Sequence, residues 1–356
     1  MNPSSLIPVA DSLTAHWGWF QFLLMLTFPL HLLAMNAMLG FVLIAFVAHL
    51  YPGRQYRDLS HELAKALPFL VAFTVNLGVA PLLFVNVLYG HLLYTSTVLM
   101  GLFWLSVIPI LIIAYYLAYI YDFSFKRLGN AGMFIVLLVL ALLLLVGFFF
   151  SNNMTMMIAP TSWERWFSTP NGTLLNLADP TLLARYLHMI TGALAVGGLC
   201  VALYVQVALK QQPVVAEVGV RIGMQCFSWL TLLQLVIGTW FLLTLAPEVQ
   251  QRFMGGNALA TAYFGAGLLL ALATLVTGFR RKVLASVCLT VPLVYLMSFM
   301  RDIVRSGYLA PYFDPAKVPV STQWSPLILF FISLVAGLVL VVWMLLQLPA
   351  FKKQGA

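Results

Sequence analysis

Charge is what this sequence has least of. Only 8% of its 356 residues are Asp, Glu, Lys or Arg, where soluble domains average about 25%. With 62% of residues hydrophobic, this excludes a soluble domain carried on a membrane anchor. The longest polar stretch, about Ser151 to Leu182, is too short to fold alone. Cysteine is scarce as well. Cys200, Cys226 and Cys288 lie in apolar segments without ligand-type spacing, as small buried apolar side chains do. Without a Cys-x-x-Cys-His the chain attaches no c-type haem itself, and iron–sulfur ligation is excluded on the same ground. The ten acids are Asp11, Asp58, Glu62, Asp122, Glu164, Asp179, Glu217, Glu248, Asp302 and Asp314. They are read in loops or at helix ends, none deep in an apolar run. Proton pumps, proton-coupled transporters and oxygen-reducing sites use buried proton-carrying acids, so this distribution counts against all three. No phosphate loop, nucleophile motif or histidine cluster suited to copper or di-iron occurs. Met1 to Thr14 has no basic region before a short apolar core, so no signal peptide is read there.

What is present is a series of long apolar runs. A helix crosses a bilayer with about 20 apolar residues. Nine segments meet this, at roughly 18–48, 67–94, 97–121, 131–152, 183–208, 222–246, 257–279, 283–304 and 325–348. The expected fold is one all-α polytopic domain over 1–356. A tight turn is expected near Tyr94 to Thr97, and kinks at Pro29, Pro81, Pro109 and Pro292. No internal repeat is read. The loop charges orient the bundle. Arg54, Arg57, Lys65, Lys126, Arg127, Lys210, Arg221, Arg280, Arg281, Lys282, Lys352 and Lys353 fall on one side, 12 of the 18 Lys and Arg. Arg165, Arg185, Arg252, Arg301, Arg305 and Lys317 fall on the other. The first side is expected in the cytoplasm, with the N-terminus outside and the C-terminus inside. The 151–182 loop is then outer, in the periplasm, and its Trp163 and Trp166 suit an interfacial helix. The net charge of +8 reads as this orientation signal, not as nucleic-acid binding.

The six histidines sort by depth. His49 and His61 fall at the cytoplasmic side and read as interfacial. His16 lies at the mouth of the first span and reads as wet. His31, His91 and His188 lie in the outer half, where an imidazole costs free energy unless something uses it. His188 follows Arg185 by one turn and precedes Gly192 by four residues. This places a cation near the imidazole and an open face beside it, suited to a porphyrin with its propionates. A six-coordinate haem b needs two axial ligands; His91, Met297 and Met300 are level with His188 and are its candidate partners. Met35 and Met38 share a helix face with His31, as a second haem pocket or as ordinary core. Arg301 and Arg305 end the eighth span one turn apart, against the positive-inside tendency. They suit carboxylates, whether haem propionates, a partner's acidic surface or the nearby Asp302 and Asp314; a quinone head group is the further option.

At this point the chain resembles subunit I of the cytochrome bd quinol oxidases. The likeness rests on nine spans with the N-terminus outside, an outer-side histidine on span one, and Ala184-Arg185-Tyr186-Leu187-His188 opening span five. That family's span-five motif reads Ala-Arg-aromatic-aliphatic-His, and its histidine binds the low-spin haem b. The resemblance implies that role for His188 and a haem-ligand role for His31, in the stretch from Gln21-Phe22. Four family features are missing. Only Ala246 to Asn257 follows span six, where the family carries a long quinol loop. The Gly-Arg-Gln-Pro-Trp motif is absent. The buried glutamates of span three and of the high-spin haems have no counterpart. Span seven, Ala258 to Phe279, has no methionine to serve as a haem ligand.

The expectation is therefore a membrane subunit of a respiratory complex holding one or two b haems, in the bacterial inner membrane. It moves electrons between a quinone pool and a periplasmic multihaem cytochrome c or iron–sulfur subunit, beside other membrane subunits, and does not itself reduce oxygen. The alternatives are a haem-free quinone-binding anchor and, from another class, a transporter or structural assembly subunit.

Overall fold

A computed structural model of the chain describes residues 3–168 and 170–347. Lys352, Lys353 and the last residue of the ninth expected span lie outside them. The described residues form nine helices long and apolar enough to cross a membrane: α1 (Trp17–His49), α2 (Arg54–Leu99), α3 (Gly101–Phe123), α4 (Gly132–Ile158), α5 (Pro180–Ala208), α6 (Pro213–Thr244), α7 (Ala258–Phe279), α8 (Val283–Leu309) and α9 (Trp324–Leu346). There is no strand among them, only an isolated bridge from Leu13 to Val320. The chain is thus an all-α polytopic membrane protein. A helix satisfies every backbone group internally, which hydrocarbon demands.

Several boundaries differ from expectation, each for a local reason. The turn after α2 falls at Met100 rather than at Tyr94 to Thr97. Thr95, Ser96 and Thr97 donate their hydroxyls to the carbonyls of His91, Leu93 and Tyr94, so the helix runs through them. Pro29, Pro81, Pro109 and Pro292 lie inside helices, as the spans required; α2 also has non-helical backbone at Tyr89. With 46 residues, α2 is about 69 Å long at 1.5 Å per residue, so its Arg54 end projects beyond the apolar layer. There Arg54 pairs with Asp58 and Lys65 with Glu62.

α4 continues to Ile158 because its polar end is satisfied from outside. Asn152 Oδ1 accepts from Asn176 N at 3.2 Å, and Asn153 receives the Ser96 hydroxyl. The segment that follows forms a 3-10 turn over Pro160–Ser168. Trp163 is buried in that turn and donates its indole N–H to Met156 O at 2.9 Å. It packs inward, where the sequence suggested an interfacial face. α8 runs to Leu309, so Asp302 sits two turns inside the helix rather than at its end.

The structure also contains a repeat that the sequence reading did not find. Helices α5–α8 repeat most of the packing of α1–α4, except that α2 also packs on α4 while α6 makes no comparable contact with α8. α1 packs on α2 as α5 packs on α6, and α3 on α4 as α7 on α8. Across the halves, α1 meets α8 as α5 meets α4, and α1 meets α5 directly. Four crossings return the chain to its starting side, so the two halves run in the same direction. Their shared axis follows the bundle, the parallel-repeat arrangement. Equivalent residues meet on it: a Cβ on Gly40 would lie 2.2 Å from Gly197 C, and one on Gly197 would lie 2.3 Å from Asn36 O. Gly198 and Gly223 bring α5 and α6 together in the same way. Small residues allow this backbone approach, which apolar burial alone does not drive in lipid. α9 lies outside the repeat, and none of its residues is buried.

Candidate functional site

Equivalence of the halves brings the histidines into register. His31 precedes Gly40 by nine residues, and His188 precedes Gly197 by nine. Each ring sits in a notch on the next helix. A Cβ on Gly78 would come 2.8 Å from His31 Cε1, and one on Gly238 would come 3.1 Å from His188 Cε1. One turn before each notch glycine stands the residue that holds the ring. Thr74 O lies 3.1 Å from His31 Nδ1. Gln234 Nε2 lies 2.9 Å from His188 Nδ1 and donates to His188 O at 2.8 Å. Both rings are half-buried, and neither Nε2 is hydrogen-bonded within the described residues.

Arginines lie one turn nearer the chain's N-terminal end of the bundle. Arg185 is over the Phe241 ring at 5.1 Å, and Phe241 is 5.8 Å from the His188 ring. Arg301 of α8 is over the ring of Phe28 at 4.5 Å, three residues before His31. Arg305 is over the Tyr89 ring at 4.4 Å and pairs with Asp302. The other Asp302 oxygen accepts from Gln21 Nε2 at 2.7 Å, which ties α8 to α1. Arg301 lies within electrostatic reach of both Arg185 and Arg305; Asp302 faces Arg301 and Asp179 faces Arg185. Nε and Nη2 of Arg185, and Nε and Nη1 of Arg305, are buried without a hydrogen-bond acceptor in good geometry, although the Tyr89 hydroxyl lies near the Arg305 guanidinium. Leaving such donors unmade costs about 1–3 kcal/mol each, more when charged.

The other expected site residues are placed differently. Gly192 leaves no open face: a Cβ there would meet Gln234 Nε2 at 3.1 Å, so the carboxamide fills the slot read as room for a porphyrin. His91 lies past the Tyr89 interruption, which ends the simple depth comparison with His188. Its ring is edge-on to Phe313 at 4.4 Å, and α2 packs on α1 rather than closely on α5. Met300 Cε lies near the Gly267 position of α7, while Met297 is half-buried on α8. Met38 is in the central core with Met35 packed against it. His16 accepts from Gly18 N and caps α1. At the opposite end His49 Nε2 lies 2.9 Å from the hydroxyl of the buried Tyr121, and His61 stacks on Phe125.

Gln234 and the Asp302–Gln21 link were not singled out in the sequence. Gln234 had a legible signal, an amide deep within the sixth apolar run, nine residues after Gln225. The role of Gln21 had none, because it depends on α8 lying against α1.

No protein-family model matches the chain, and no curated protein matches it.

Proposed function

We propose that the chain is a membrane electron-transfer subunit holding haem b, which exchanges electrons between a quinone pool and a redox partner on its outer side. One observation carries the reading: histidines in equivalent notches, each a turn below an arginine, with buried guanidinium donors that lack well-placed acceptors. The fit to haem is chemical. Thr74 O can only accept, so His31 Nδ1 carries the proton and Nε2 keeps its lone pair, the form in which histidine ligates iron. These donors of Arg185 and Arg305 suit carboxylates or carbonyl oxygens. Haem, when bound, supplies a one-electron carrier. The chain's own part is to fix the imidazoles, set positive charge beside them and exclude water with the surrounding apolar helices.

With no c-haem motif of its own, the subunit passes electrons to or from a periplasmic multihaem cytochrome c or an iron–sulfur protein. Its setting is the bacterial cytoplasmic membrane, beside other membrane subunits of a quinol-linked oxidoreductase. Asp302, the acid inside α8, is engaged by Arg305 and Gln21, which does not favour oxygen reduction by this chain.

Transport is the reading that the parallel repeat would favour, since transporters use such repeats. They bind substrate near mid-membrane at the repeat interface. Here that interface is closed by backbone contact at Gly40 and Gly197, and the buried arginines lie toward one end.

The deciding experiment is a reduced-minus-oxidised spectrum of the purified full chain with a pyridine haemochrome assay. A b-type alpha band and a Soret band are expected; their absence overturns the reading.

A further inference from the structure

The two histidine notches share geometry but not hydrogen-bonding chemistry. Gln234 is what separates them. Its Nε2 touches both His188 Nδ1 and the His188 carbonyl oxygen. Turning the carboxamide over would set two carbonyl oxygens about as close as that hydrogen bond, so the amide nitrogen must face them. Nδ1 of His188 is therefore the acceptor, and the neutral ring carries its proton on Nε2. His31, held by the Thr74 carbonyl, is in the opposite state, with Nε2 unprotonated.

We infer that His188 is a hydrogen-bond donor that binds a carbonyl oxygen of a quinone head group, while His31 is the iron ligand. The assignment deepens the electron-transfer reading and rests on it for the role of His31. Arg185 adds a second donor one turn away, with buried Nε and Nη2 lacking acceptors. The Phe241 ring lies beside His188 and beneath Arg185, so both donors converge on one side chain. Arg301 and Arg305 face the His31 half through Phe28 and Tyr89, where the carboxylates of a porphyrin would lie. Gln234 is a positioning residue, since it acts by fixing which His188 nitrogen holds the proton.

The test uses the purified full chain with decylubiquinone and menadione as probes, read by tryptophan quenching, alongside haem content. His188→Ala is expected to keep its haem and to weaken binding of the preferred quinone about tenfold, the loss of roughly 1.4 kcal/mol. His188→Gln keeps a donor and is expected to hold both haem and quinone affinity near the parent's. His31→Ala is expected to lose haem and keep quinone affinity. Haem lost from His188→Gln, or affinity unchanged in His188→Ala, overturns the assignment. A parent chain that binds quinone through His188 but has no b-type bands would overturn the haem reading alone, so the two failures are distinguishable.

Discussion

Gly40→Ala adds one methyl group at the place where the halves of the repeat touch. The new Cβ would lie 2.2 Å from Gly197 C, 2.3 Å from its Cα and 2.4 Å from its carbonyl oxygen. Carbon atoms rest at about 3.5–4.0 Å, so α1 and α5 must separate by about 1.5 Å. All three struck atoms are backbone, and no rotamer change relieves them. Overpacking of this kind costs about 1–3 kcal/mol, and here the upper part of that range applies because two long helices must move together. Helix propensity works the other way, since alanine is favoured over glycine by up to about 1 kcal/mol. Gly265→Ala isolates that gain, because a Cβ at Gly265 meets nothing within 4 Å. The assay is thermal unfolding of purified chain in detergent, read by the loss of the monodisperse peak on size exclusion. Gly40→Ala is expected to lower Tm by about 5 °C, and Gly265→Ala to leave it level or raise it. A Gly40→Ala protein as stable as its parent would refute the reasoning that backbone contact on the repeat axis joins the halves.

Three further outcomes follow from particular contacts. Asp302→Leu leaves the buried Arg305, only 6% exposed, without its carboxylate and is expected to cost about 3–5 kcal/mol; Asp302→Leu/Arg305→Leu should recover at least half of the lost Tm, and no recovery would sink the pairing argument. Cys288 is exposed while Cys200 and Cys226 are partly enclosed, so a membrane-permeant thiol reagent should label Cys288 in the folded chain and the other two only after denaturation, as peptide mapping by mass spectrometry would show. In a cysteine-free background, Lys317→Cys should react with an impermeant maleimide added outside intact cells and Arg281→Cys should not; the reverse pattern would invert the orientation drawn from loop charge.

Element type was legible because each span is an apolar run of membrane length, and hydrocarbon admits few other backbone solutions. Boundaries were less so. Ser151 to Thr155 reads as loop from its polarity, yet it is helical because Asn176 and Ser96 supply partners. The repeat was not legible, since its halves keep only sparse common marks: His then Gly nine residues on, and a notch glycine one turn after the ring's holder. Of the candidate site, His31, His188 and the arginines Arg185, Arg301 and Arg305 were legible as polar outliers against an apolar background, and the structure gathers the arginines toward one end of the bundle. Gly192 was read as space because a missing side chain does not reveal which neighbour fills the gap.

Composition and run length by themselves determined that this chain is a helical membrane protein with unusual imidazoles and cations near one end. They did so because burial in lipid penalises every polar group regardless of its neighbours. Only the tertiary structure decided which groups meet. It set α8 on α1, so that Asp302 binds Gln21, and it paired α5 with α6, so that Gln234 reaches His188. The proton on an imidazole depends on the atom facing it, and that atom lies 46 residues away in sequence for His188 and 43 for His31.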